Sequence, residues 1–275
     1  MRTRGFVTGV SAVFAVAALL LFGALAGYGT REGARGGPGV DPARAERLAE
    51  AARSIRALGV NALPLLDTYI DSDPENAFGY YLLAAAHARQ GGWAAVMQAL
   101  RAGNRAPRCQ HYVPRESPAA GAWEAIAPLM ALRQDILDAA RMLPGQEAGA
   151  LLFECRRMAE RVAGAEPASL ALLEAGTRMR RDFSHATVLL AQRAGEGWRA
   201  DQARAEEKAD QARLARIAEV RERLRADAES GNAEAVPGGE AERAAVARLL
   251  AAEASSSAAP GTAAAGRQVA DGAHR

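Results

Sequence analysis

Histidines, cysteines and paired carboxylates are the residues able to do chemistry in this chain, and they are few and scattered. None of the four histidines, His87, His111, His185 and His274, stands at ligand spacing from another. Cys109-Gln110-His111 sets a thiol near an imidazole, enough to touch one metal ion, but no second Cys/His pair completes the usual four ligands. No metal site is expected. The GxGxxG, GxxxxGK, GxSxG and HExxH patterns that organise nucleotide, acyl-transfer and zinc chemistry are missing. Cys155 lacks the neighbouring cysteine and histidine of a haem attachment site. Carboxylate neighbours such as Glu206-Glu207 fall in a heavily charged stretch, where a solvated helix face is the expectation and acid-base work is not. The expectation is a chain that is not an enzyme and carries no cofactor.

Cys109 and Cys155 are the only cysteines. In an oxidising compartment they form one bridge if the fold brings their Cα atoms to about 5.5 Å; otherwise they are two buried, inert thiols. Sequence leaves both outcomes open.

The elements that carry these residues read as helices. Hydrophobic residues make up 49% of the 275 positions and aromatics only 5%, and valine and isoleucine never build the alternating runs that strands need. An all-α fold follows. The formal net charge of +2, from 34 basic and 32 acidic side chains, leaves no large field to recruit nucleic acid.

Residues 5–29 contain no charge and follow Arg2 and Arg4. At about 1.5 Å per residue, roughly 20 residues cross a bilayer core, and a signal-peptide core is usually shorter than this run. The basic side lies before the run, so the N-terminus is expected in the cytoplasm, with a single membrane pass and the remainder extracytoplasmic. The alternative is cleavage after Ala26, at the small-x-small triplet Ala24-Leu25-Ala26, giving a secreted or periplasmic chain. Gly23 and Gly27 form a GxxxG, a weak pointer to a homo-oligomer.

After this segment, residues 30–40 read as a flexible Gly-rich linker. Residues 41–107 repeat themselves. Asp41-Pro42 recurs as Asp73-Pro74, 32 positions later, and Pro107 follows Pro74 by 33. Each unit begins with an Asp able to cap backbone N–H groups and a Pro suited to a first helical turn. In the second unit a helix over about 75–89 reaches the turn glycines Gly91-Gly92, and another runs over about 93–102. The first unit pairs a helix ending near Gly59 with a return helix through LPLLDTYI.

On Tyr80, Leu83-Ala84, Gly91-Gly92-Trp93, Val96 and Leu100, the second unit resembles the tetratricopeptide repeat (TPR). The resemblance implies stacked helix hairpins that bind a protein partner on a concave face. It departs from the family at His87, Val96 and Gly103, and Gly103 in place of the usual Ala predicts a looser helix–helix fit. Tyr80 and Trp93 are expected to pack between helices, leaving Tyr81, His87, Arg89 and Gln90 off the packing face as candidate partner-binding residues.

A helical extension over 108–197 follows, with helices expected over about 118–142 and 146–163 and a third opened by Glu166-Pro167. Residues 198–230 read as one long helix in which eight basic and eight acidic side chains cancel over 198–229. Leu214, Ile217 and Leu224 share a face there, a short docking stripe without a sustained heptad. Residues 231–275 form a low-complexity, disordered tail apart from a marginal Ala-rich helix over 240–254. The function expected is a membrane-anchored extracytoplasmic TPR-like adaptor; the alternative is a self-associating structural envelope protein using the long helix.

Overall fold

A computed structural model describes residues 62–111, 118–166, 168–230 and 240–257. The segment expected to enter the membrane, the linker, the first helix of the first repeat unit and the end of the tail lie outside these residues. Apolar positions recurring every three or four residues, punctuated by Gly and Pro, fold into helices throughout, with eight helices and no strand among the described residues. They are α1 (Leu63–Ser72), α2 (Ala77–Arg89), α3 (Trp93–Arg105), α4 (Pro118–Met142), α5 (Gly145–Ala163), α6 (Leu170–Arg193), α7 (Gly197–Glu229) and α8 (Glu240–Ser257).

The start of α2 departs from the sequence expectation. Asp73 does not cap it; its side chain is buried and pairs with Arg108. Asn76 is the cap, extended at φ −99° and ψ 119°, with Oδ1 accepting the Phe78 N–H. The same amide also takes the Gln110 N–H on Oδ1 at 2.9 Å and donates to Tyr69 Oη and the Gln110 carbonyl, each at 3.0 Å. Every polar valence of this fully buried side chain is filled, which is what makes its burial tolerable.

Helices α2 and α3 form an antiparallel hairpin turned at Gly91, whose φ of +71° lies in the left-handed region that glycine enters without strain. Gly103 then corrects a second expectation. A Cβ there would stand 2.5 Å from the Tyr81 ring, so the missing methyl tightens this hairpin. Tyr81 donates its hydroxyl to Asn104 Oδ1 at 2.8 Å, and Asn104 Nδ2 reaches the carbonyl and carboxylate of Glu154 on α5. Arg161 of α5 closes the end of α3 by donating to the Ala106 carbonyl at 2.6 Å.

One main core runs through α1 to α6, with Tyr69, Phe78, Tyr81 and Phe183 among its largest fully buried side chains. Burying each phenylalanine is worth about 1.5–3 kcal/mol. Helices α5 and α6 cross closely at Gly176, where a Cβ would meet the Ala159 carbonyl and Ala163 nitrogen at 2.5 Å. At one end of the bundle, parallel bridges join Asn76 to Arg108 and Gln110 to Glu166, tying three connections together. The long helix α7 lies on α6, and α8 packs against α6 and α7.

Candidate functional site

Helix α2 has neighbours on α1, α3 and α4, and nine of its thirteen residues are buried. That placement corrects the reading of its aromatics. Tyr81 is fully buried against Gly103 and presents no surface to a partner, whereas Tyr80 is half-buried and sends its hydroxyl to the Pro74 carbonyl at 3.1 Å. His87 is half-buried near the end of α2, while Arg89 and Gln90 are exposed there. Arg89 leans toward Asp135 of α4 at 3.9 Å. The four candidate residues therefore do not form one patch: three gather at a helix end and Tyr81 belongs to the core.

The thiols are free, Cys155 buried and Cys109 partly so, and the pairing weighed from sequence is not made. Each is fixed by its own packing, Cys155 inside the main core and Cys109 against it after α3. Burial pushes the Cys109 thiol up to about 12 and raises Cys155 as well, which disfavours the reactive thiolate. His111 is almost completely buried with its ring tilted on Phe78, centroids 5.2 Å apart, and burial lowers its pKa to about 4. No group of three metal-ligating side chains occurs among the described residues.

What the folded chain does build is a cleft. Helix α6 lies between α5 and α7 and packs on both, while α5 and α7 make no extended contact with each other. The C-terminal part of α6, through Thr187, Leu190 and Ala191, and the Ala194 that caps it floor the gap between them. Gly145 and Gly149 open one wall; a Cβ at either would stand 3.9 or 3.7 Å from a Leu190 methyl. The cleft encloses about 730 Å³. Arg156 of α5 pairs with Glu206 of α7 and ties the walls together.

Two large aromatic side chains face this cleft while remaining largely in water: Phe153 on α5, 58% exposed, and Trp198 on α7, 70% exposed. The Arg157 guanidinium stands 6.0 Å from the Phe153 ring centroid, and Arg199 pairs with Glu196 at 2.7 Å beside Trp198. The rings therefore sit in water within a charged rim. Sequence reasoning missed both residues. The signal was present: Phe153 falls off the face of Leu151, Leu152, Cys155, Met158 and Val162, and Trp198 opens a charged helix with Asp201 and Gln202 as its neighbours one turn on.

The stripe of Leu214, Ile217 and Leu224 is already covered. Ile217 is 1% exposed and packs with Leu173 of α6 and Val246 of α8, with Leu214 and Leu224 around it. Leu214 and Leu224 stay half-buried at the edge of this cluster. No helix among the described residues is long and apolar enough to cross a membrane; residues 5–29 lie outside them. Comparison with protein-family models, curated proteins and solved structures finds no match for this chain.

Proposed function

We propose that the chain is a membrane-anchored, extracytoplasmic helical adaptor that binds a partner protein in the cleft between α5 and α7. The observation that carries the reading is the pair Phe153 and Trp198, two large rings held in water on opposite walls of a cleft. The anchor rests on the uncharged run 5–29, and the TPR-like assignment of residues 41–107 rests on the sequence pattern around Tyr80, Leu83-Ala84 and Gly91-Gly92-Trp93.

Affinity capture of the full-length chain from detergent-solubilised membranes tests the binding half. The unaltered chain is expected to recover a defined protein that the Phe153→Ser, Trp198→Ser double variant loses, with the thermal unfolding midpoint unchanged. Identical recovery by both chains would remove the cleft from the account. Carbonate washing tests the other half: the protein stays with the membrane pellet and its N-terminus begins ahead of Gly27. A soluble chain beginning at Gly27 would replace the anchor with a cleaved export signal.

A further inference from the structure

Among the described helices α8 packs chiefly on α6 and α7, and it does so with a regular pattern. Glu242 reaches the first turn of α6, where its Oε1 accepts the Leu170 N–H at 2.7 Å beside the Ser169 cap on Ala171. That backbone N–H is one of the donors a helix start cannot satisfy internally, and the positive end of the helix favours a carboxylate there. Four residues on, Val246 is fully buried against Ile217 and Leu173. Leu249 and Leu250 line the edge of the same cluster, while most of the remaining α8 side chains with a described environment face water. The cluster stands apart from the main core.

We propose that the start of α6 and the second half of α7 form a helix-accepting groove, filled in cis by α8 and able to take a partner helix in trans. The occupant's chemistry is written in α8 itself: a Glu in the first turn, then apolar branched side chains four, seven and eight residues later, all on one face. An isolated Ala-rich helix of this length is marginal in water, so α8 owes its order to docking. Its covalent tether supplies an effective concentration in the millimolar range, about what a small interface needs to stay filled. A partner helix with the same pattern competes by capping the Leu170 N–H and covering Ile217, and the groove acts as a second interaction surface gated by the chain's own helix. This surface is separate from the cleft at Phe153 and Trp198.

The test uses the full-length chain in detergent micelles and, as probe, a fluorescein-labelled synthetic peptide with the sequence of residues 240–257. Releasing the internal helix with Val246→Glu plus Leu249→Glu is expected to tighten peptide binding about tenfold or more over the unaltered chain. Glu242→Ala in the peptide should weaken it. Equal affinity for both chains, or none for a double variant with an unchanged circular dichroism spectrum, would overturn the proposal. Hydrogen exchange on the unaltered chain covers the case of a misfolded variant: α8 amides should exchange at least about a hundredfold faster than those around Gly176 in α6. Matching protection in the two helices would make α8 a permanent part of the fold and the proposal false.

Discussion

The inner helices α2, α3, α5 and α6 and the outer helix α7 are held by different chemistry. Inside, backbones approach where a side chain is missing: Gly103 admits the Tyr81 ring, and Gly176 lets α6 lie against the α5 backbone. Outside, α7 adds a row of ion pairs to the burial of Ala200, Ala203 and Ile217. Asp210 is fully buried and takes Arg180 Nε at 2.8 Å, Glu206 takes Arg156, and Arg221 joins Arg178 on Glu174. Close packing tolerates almost no change in volume, whereas an ion pair at a half-buried surface tolerates changes of shape and weakens as water and salt reach it. The inner helices are therefore the scaffold and the outer layer is the adjustable part, where the cleft and the α8 groove both lie.

The sharpest way to break this contrast is at Gly176. Gly176→Val drives side-chain carbons into the α5 backbone and should cost more than about 3 kcal/mol, read as loss of the cooperative unfolding transition in urea. Acid should act on the inner region almost as strongly through His111. Its folded pKa of about 4 lies below the ordinary 6.5, so the folded state binds fewer protons than the unfolded chain. Stability is then complete above pH 6.5 and falls progressively toward pH 4, by about 3 kcal/mol in total. In urea melts across this range, His111→Gln should remove that part of the slope.

In the outer layer, Asp210→Ala removes the buried carboxylate that Arg180 donates to and should cost about 2–3 kcal/mol, a smaller loss than at Gly176 because Arg180 keeps partial access to water and Glu160 within 3.9 Å. Arg225→Ala, which removes an exposed pair with Glu229, should change the unfolding midpoint by less than about 0.5 kcal/mol in equivalent stability. If Arg225→Ala matched Asp210→Ala, burial would not be what separates strong from weak pairs on α7.

Much of the scaffold was legible in sequence. The helix expected over about 118–142 is α4 at its observed bounds, and Gly91 marked the hairpin turn. What sequence could not supply was which side of α2 faces in. Amphipathic reasoning needs a wet face, and α2, flanked by α1, α3 and α4, hardly has one; Tyr80 packs against the core as expected, but its neighbour Tyr81, expected off the packing face, is buried more deeply still. Their choice depends on Gly103, across the hairpin, a contact no local pattern reports. The cleft was hidden for a related reason: Phe153 and Trp198 lie 45 positions apart and are brought to one cleft only by α6 packing between their helices.

Site-specific photocrosslinking in intact cells tests the central claim most directly. A photoreactive amino acid replaces Phe153, Trp198 or, as an exposed control at the end of α2, Gln90, in the full-length chain. The account predicts one and the same protein adduct from positions 153 and 198 and none from position 90. An adduct confined to position 90, with positions 153 and 198 silent, would contradict it and return the binding surface to the hairpin end.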